Sequence, residues 1–333
     1  MALHSSSYQH WEGRRQGVMA RRAVIIGNGI TECFQSRWLK YLAVSSWGVG
    51  FIEVVILFFL GQLLVTDSLI SQWIQYMNPQ AKAFIGIFIT WLENTPEISV
   101  RVSYNILFYY FIFFTSFVPV IAITMVLPNL ITRDLGSNAI IIYSSKAVSR
   151  LDYIIGKFGT VFGVLTIVWL GPTLMAWVFG NMMSPHWHFF WHSRIPLMNV
   201  ASYLLISMVF YSFVSLGVSA ISPKEKLPVF IWLMVLWFFA SQLSKVGTEI
   251  DRDWLRYCSF AFNLHELAKV MFNLSEDMEL IRSNVPFIGG FLDTAPDFFN
   301  PARLSGQLRE VITSLSIMVG LSLAVLFKRV KPE

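Results

Sequence analysis

Six long apolar runs, separated by polar segments, dominate the hydropathy pattern of this chain. A helix needs about 20 mostly apolar residues to cross the hydrocarbon core of a bilayer. Six stretches qualify, the fifth of them being short: Tyr41–Val65, Tyr104–Leu130, Phe158–Gly180, Met198–Ile221, Val229–Leu243 and Val311–Phe327. Membrane β-strands would be about half as long and would alternate in polarity. The pattern therefore predicts an all-α integral membrane protein with six transmembrane helices.

Two shorter patterns flank the predicted spans. The apolar piece Ala83–Leu92 is too short to span and is bracketed by Lys82 and Glu93, which predicts a re-entrant or interfacial helix. Over Ile30–Tyr41 the apolar residues recur at helical spacing and the polar ones take the other face. This predicts an amphipathic helix in the membrane interface. The alternative is a cytoplasmic extension of the first span.

The distribution of Lys and Arg predicts the orientation. Residues 1–40 hold six basic and two acidic residues, and residues 129–157 hold four and two. The 222–228 loop and the C-terminal tail are also basic, and all four segments fall on one side if six spans alternate. The opposite loops, 66–103 and 245–308, carry more acids than bases. We therefore expect both termini and the 131–157 loop to be cytoplasmic.

Composition supports the membrane prediction. Mean hydropathy is +0.58, 55% of the residues are hydrophobic and only 14% are charged, against roughly 25% charged in soluble chains. So much apolar surface must face lipid. The net charge of +5 comes from the basic loops on one side, so nucleic acid is not an expected partner. The two cysteines, Cys33 and Cys258, are predicted to lie on opposite sides, which excludes a disulfide between them within one subunit.

Polar residues inside spans are candidates for a translocation path, because they are expensive in lipid. Glu53 is the clearest, and Gln62 and Asn105 are weaker. The alternative for Glu53 is a buried, protonated acid bonded to a neighbouring helix, and for the other two it is helix packing. Pro119, Pro128 and the Gly171-Pro172 pair should kink their helices. Such kinks are found both at hinges and in static spans.

The chain offers few catalytic or metal-binding patterns. His186, His188 and His192 are weak metal candidates, because imidazole suits Cu and Zn, but the aromatic residues between them favour an interfacial belt. There is no Gly-x-Ser-x-Gly motif, His265-Glu266 lacks the second His of a zinc protease, and Gly156-Lys157 lacks the rest of a P-loop. We therefore expect a non-catalytic chain without a cofactor of its own.

The polar segment between the second and third predicted spans carries the most informative motif. An Arg-Asp pair and a Gly-Ser-Asn turn lead into an aliphatic run that ends in an aromatic residue (Arg133, Asp134, Gly136, Ser137, Asn138, Tyr143). A polar loop follows, and then Ser149, Arg150 and Asp152 precede Gly156-Lys157 at the third span. This segment resembles the first cytoplasmic loop of permease subunits of type-2 ABC transporters. It departs at Ala147, where that family usually has proline.

The resemblance implies a specific assembly. The segment, through the nine residues from Arg133 to Asp152 named above, would contact a separate ATPase subunit that binds ATP and Mg, and a second permease copy would complete a dimer. It also implies an elbow helix within residues 1–40, a six-span domain over 41–330, short outer capping helices within 245–308, and a bacterial cytoplasmic (inner) membrane. Members of that family usually export their cargo. The alternatives are a polytopic scaffold, an intramembrane enzyme or a secondary transporter.

Overall fold

A computed structural model describes residues 17–63, 68–137, 149–182, 188–250, 252–287, 290 and 307–330. These residues form helices and contain no strand. Six helices are long and apolar enough to cross a membrane, and we call them spans 1 to 6: Arg37–Gln62, Pro96–Gly136, Arg150–Met182, Arg194–Ser219, Lys226–Gly247 and Leu308–Arg329. The predicted all-α class and the six apolar helices are confirmed. Each of the six helices begins before the apolar run that predicts it, because helical hydrogen bonds continue into the preceding polar residues.

Span 2 is divided near its two internal prolines, Pro119 and Pro128. It consists of helices Pro96–Thr115, Phe117–Val126 and Ile131–Gly136, with a 3₁₀ turn at Leu127–Asn129. Pro119 has no N–H to donate to the carbonyl of Thr115 four residues earlier, and its ring crowds that carbonyl. The first break falls at Ser116 for this reason. Pro128 lies in the 3₁₀ turn, so both predicted kinks are confirmed.

Span 3 widens just before Gly171-Pro172. Helix Arg150–Leu165 passes through a π-helical turn at Thr166–Leu170 and continues as helix Gly171–Met182. Pro172 leaves the carbonyl of Val168 without its usual donor, and the hydroxyl of Ser46 in span 1 donates to that oxygen. Trp47 Nε1 donates to the carbonyl of Ile167 at 2.9 Å. Two side chains of span 1 thus stabilise the widened turn.

Span 5 and the helices outside the spans complete the element order. Span 5 begins as helix Lys226–Phe230, widens into a π-helix at Ile231–Phe239 and continues as helix Ala240–Glu249. The helices outside the spans are α1 (Val18–Cys33), α2 (Leu69–Gln75), α3 (Pro79–Asn94), α4 (His188–His192), α5 (Asp253–Arg256), α6 (Phe260–Met271) and α7 (Leu274–Asn284).

The prediction of one continuous helix over Ile30–Tyr41 is wrong. Helix α1 ends at Cys33, and span 1 begins at Arg37. Between them the N–H groups of Gln35 and Ser36 bond to carbonyls only three residues back, and Ser36 is extended. Apolar spacing continues across this turn and so did not reveal it, although Cys33 before the turn is buried whereas Trp38 and Tyr41 after it are 72% and 63% exposed.

The predicted short helix over Ala83–Leu92 lies within α3. This helix has 16 residues and is not among the six long ones. Its Trp91 is buried against Val102 of span 2 and against Ile281 and Val285 at the end of α7. Helix α3 is therefore packed against both span 2 and α7.

Burial places the centre of the bundle at span 4. Of the most apolar window of span 4, 67% is buried, and the shares for spans 2 and 3 are 56% and 44%. Spans 5 and 6 bury only 22% and 17%. The largest fully buried side chains include Trp169, Trp232, Tyr104, Phe108 and Phe260, which belong to spans 2, 3 and 5 and to α6. Spans 5 and 6 are therefore the least buried of the six.

Candidate functional site

The predicted partner-binding charges around segment 131–157 have partners within this chain. Asp134 pairs with Lys157 at 2.8 Å and accepts a hydrogen bond from the Tyr153 hydroxyl at 2.7 Å. Asp152 pairs with Arg22 of α1 at 2.6 Å. We call the ion pairs Arg22–Asp152, Glu32–Arg133 and Asp134–Lys157 the charge frame. It joins α1 to the facing ends of spans 2 and 3.

Arg150 and Arg133 extend these contacts. Arg133 forms an ion pair with Glu32 near the end of α1. Arg150 donates to the carbonyl of Phe327 in span 6 and lies 5.0 Å from the centre of the Phe327 ring, a distance at which cation–π attraction acts. The four charges predicted to bind an ATPase therefore connect α1 and spans 2, 3 and 6.

The first turn of span 3 is capped at Ser149. The Ser149 hydroxyl accepts a hydrogen bond from the Asp152 N–H at 3.1 Å and lies 2.7 Å from the Asp152 carboxylate, to which it donates. A serine N-cap satisfies one of the free N–H groups at a helix start, and an acidic side chain is favourable there. Ser149 and Asp152 thus fix where the chain re-enters the bundle.

The end of span 2 is tied to the end of span 4. The Ser219 hydroxyl accepts from the N–H groups of Ile131 and Thr132, each at 3.0 Å, and Thr132 Oγ1 donates to the Ser219 carbonyl at 2.8 Å. A Cβ at Gly136 would lie 3.3 Å from the carbonyl oxygen of Pro223. Ser137 donates to the Arg133 carbonyl at 2.9 Å. Asn138 and Tyr143 lie outside the described residues.

Helix α1 packs against a stripe of glycines on span 3 (Gly156, Gly159 and Gly163), which we call the glycine stripe. Cβ atoms added at Gly156, Gly159 and Gly163 would come within 2.4–2.5 Å of the side chains of Ile25, Ile26 and Ile30, respectively. The side chains of α1 therefore occupy the space that side chains at these three positions would fill. This packing holds α1 along the same stretch of span 3 that the charge frame fastens.

Glu53 is buried where span 1 packs on span 3. Its side chain is 4% exposed, and Oε1 has no hydrogen-bond partner among the described residues. One turn earlier, a Cβ at Gly50 would lie 2.9 Å from Pro172, and one turn later Leu57 contacts Gly180. Gly50 therefore allows the two helices to approach closely here. Gly48 has no atom within 4 Å of an added Cβ.

The other two path candidates are Asn105 and Gln62. Asn105 donates to Asp277 of α7 at 2.7 Å and accepts from Asn199 of span 4 at 3.3 Å. Burial raises the pKa of Asp277, although the hydrogen bond from Asn105 opposes this. Gln62 ends span 1, about 13 Å along the helix from Glu53. Asn105 therefore anchors α7, and the assignment of the three residues to a translocation path stays a prediction.

An aromatic cavity of about 370 Å³ lies between spans 2 to 5 and α6. Its lining includes aromatic side chains that sequence reasoning did not single out: Tyr109, Phe113, Trp169, Tyr203, Tyr211, Trp237, Phe260 and Phe262. Within apolar runs these residues have no signal that separates a cavity wall from ordinary core.

His265 is the titratable group of α6 that lines this cavity. Its Nε2 lies 3.2 Å from the Tyr109 hydroxyl. Burial lowers the pKa of His265 to about 4, and the nearby Lys269 ammonium acts in the same direction. The imidazole is therefore neutral at pH 7. The sequence placed His265 only in an incomplete zinc-protease pattern, and its packing against span 2 was not predictable from that pattern.

The histidine cluster is only partly within the described residues. His186 lies outside them, the side chain of His188 is not described, and His192 ends α4. Among the residues described, no group of three His, Cys, Asp or Glu side chains could hold a metal ion. The weak metal hypothesis stays a prediction.

Comparisons with known proteins give no relative from which a function could be transferred. No protein family matches the chain, and no curated protein or solved structure matches it significantly.

Proposed function

We propose that this chain is the permease subunit of an ATP-driven membrane transporter of the type-2 ABC kind. Two copies would form the translocation unit, and each would contact a separate ATPase subunit that carries ATP and Mg²⁺. The six apolar helices support a membrane-embedded subunit. The single observation that carries the proposal is the polar segment between spans 2 and 3, whose two ends are fastened to each other by Asp134–Lys157.

The charge frame changes the role of the charged residues. Because Arg133, Asp134, Arg150 and Asp152 have partners in this chain, we assign them to transmission of movement. We then assign direct contact with the ATPase to residues 138–148, which include Asn138, Tyr143 and Lys146. A push on that stretch would reach α1 through Arg22–Asp152 and span 6 through Arg150. ATP-driven closure of two ATPases would shift the spans in this way.

The remaining helices fit the same proposal. Helix α1, packed on the glycine stripe of span 3, is the elbow helix, although it lies earlier in the chain than its amphipathic pattern predicted. Helices α6 and α7 cap the outer side, where Asn105 binds Asp277. Both termini face the cytoplasm of a bacterial cell, in its cytoplasmic membrane, and cargo moves outward.

Co-purification tests this proposal. The tagged full-length chain is expressed in its own host, extracted in mild detergent and purified, and the bound proteins are identified by mass spectrometry. We expect a soluble ATPase in near-equal amount with the wild type. Lys146→Glu should reduce its recovery at least about tenfold, because a charge reversal inside an interface places like charges together.

The matched control reverses a lysine in a different basic loop. Lys224→Glu carries the same change in the short loop before span 5 and should leave recovery of the ATPase unchanged. Absence of any ATPase with the wild type, or equal loss in both variants, would contradict the proposal and favour a scaffold without transport.

A further inference from the structure

The aromatic cavity has no role in the function proposed above. We propose that it binds an amphipathic molecule with an apolar body and one anionic group, the body among the aromatic rings and the anion at Lys245. The inference deepens the proposed function by naming a class of cargo. It rests on that function only in that the bound molecule is called cargo because the chain is proposed to be a permease. Binding itself requires no ATPase.

The cavity walls suit an apolar body. Trp169, Tyr211 and Phe260 line the cavity and are almost fully buried, at 1%, 3% and 2% exposure. Small-molecule sites typically enclose about 300–1,000 Å³ and are lined mainly by apolar and aromatic groups with a few polar ones. The cavity volume of about 370 Å³ falls at the lower end of that range, which fits a single chain or a small ring system.

The charges of the lining select an anion. Lys245 lines the cavity and forms no ion pair with any described residue. The described lining residues include no carboxylate, and His265 is neutral at pH 7. A cation would therefore be repelled by Lys245 without compensation. An anion would gain a charge-assisted hydrogen bond, which is roughly twice as strong as a neutral one.

One face of span 5 provides the entrance. Trp237, Ser241, Ser244 and Lys245 all line the cavity, and their i, i+4, i+7, i+8 spacing places them on a single helix face. Trp237 is 41% exposed, and span 5 is among the least buried spans. Lys245 lies near the end of the span, where lysines reach toward lipid headgroups. The apolar part of an amphipath could therefore enter from lipid while its anionic group stays at that level.

The helix break in span 2 borders the same cavity. Ser116, where Pro119 interrupts the helix, and Phe113 one turn before it are both lining residues. The widened part of span 5 contributes Trp237. Trp169, in the π-helical turn of span 3, also lines it, so all three irregular spans meet at the cavity.

Photolabelling of the full chain in neutral-lipid nanodiscs tests the proposal. The probes are decanesulfonate with a terminal diazirine and decanol with the same diazirine, which differ in the anionic group. We expect saturable cross-links from both probes to peptides of span 2 and α6. Lys245→Ala should reduce sulfonate labelling about five- to thirtyfold, as loss of one charge-assisted bond predicts, and leave decanol labelling unchanged.

Two further variants keep the outcome decisive. Lys226→Ala removes a lysine from the opposite end of the same helix and should change neither labelling. Ala261→Trp, at a partly exposed lining position, should reduce labelling by both probes because it fills the cavity.

Three results would overturn the inference. Absence of saturable labelling in span 2 and α6 would show that the cavity is not a binding site. Equal sulfonate labelling in Lys245→Ala and Lys226→Ala would show that Lys245 does not bind the anionic group. Loss of decanol labelling in Lys245→Ala would show that the lysine acts on folding. None of these results bears on ATPase co-purification, so the two proposals can fail separately.

Discussion

At the scale of single residues, the charge frame contains ion pairs that differ in exposure. The side chains of Lys157 and Asp134 are 14% and 13% exposed, whereas those of Arg133 and Glu32 are 56% and 42% exposed. Asp134→Asn should lower the free energy of unfolding by about 1–3 kcal/mol, because it leaves the Lys157 charge poorly compensated. Glu32→Gln should lower it by less than about 1 kcal/mol. Denaturant unfolding in mixed micelles measures both, and equal effects would contradict the assignment.

His265 gives the fold a defined acid sensitivity. The pKa of about 4 in the folded protein is below the ordinary value of 6.5, so between these values the unfolded chain binds a proton that the folded chain does not. Stability should therefore fall as the pH decreases from about 6.5 toward 4. His265→Gln, which can keep a hydrogen bond to Tyr109, should show a smaller decrease. Melting temperatures across this range check the prediction, and identical slopes in both proteins would contradict it.

At the scale of helices, the contact of span 1 with span 3 depends on Gly50. A Cβ there would lie 2.9 Å from the Pro172 Cβ and 3.1 Å from the Pro172 carbonyl oxygen, a backbone atom that cannot rotate away. Gly50→Ala should therefore destabilise the protein by about 1–3 kcal/mol, the usual range for overpacking.

Gly48 is the matched control for this substitution. It lies two residues away on the same helix and has no atom within 4 Å of an added Cβ. Gly48→Ala should be neutral or slightly stabilising, because alanine favours the helix. Thermal unfolding of the two variants compares them directly, and a larger loss in Gly48→Ala would show that the helix contact is misplaced.

Hydropathy and proline chemistry predicted the helices well, because both act locally. The six apolar runs became six long helices, and Pro119, Pro128 and Pro172 marked real irregularities. The turn at Phe34–Ser36 was missed, since both sides of it keep the same apolar spacing. The stripe of Gly156, Gly159 and Gly163 was also missed, because glycine in a span indicates close packing without naming the helix that packs there.

Side-chain partners were the part of the candidate site that the sequence could not predict. Arg22 and Asp152 are 130 positions apart, and nothing local in either segment indicates the other. The sequence shows none of those partners, so it predicts the charges of segment 131–157 only as a surface for another protein, and that role stays a prediction. The aromatic cavity was not predictable for the same reason. Its lining comes from spans 2 to 5 and α6, and only the fold brings these elements together.

At the scale of the whole molecule, burial is uneven. Span 4 is central, and spans 5 and 6 leave most of their surface uncovered by this chain. In the proposed assembly, lipid, amphipathic cargo and a second copy cover these exposed surfaces. The charge frame lies at the opposite ends of spans 2 and 3 from the contact between Asn105 and α7, so partner binding and capping are assigned to different faces.

Sidedness of segment 131–157 tests the central claim most directly. In chains with Cys33→Ser, a membrane-impermeant maleimide is applied to intact cells, either with Cys258 retained or with Cys258→Ser combined with Ser144→Cys. We predict labelling of the exposed Cys258 in intact cells and labelling at position 144 only after permeabilisation. Labelling at position 144 in intact cells would place the segment outside, away from any cytoplasmic ATPase, and would contradict the account.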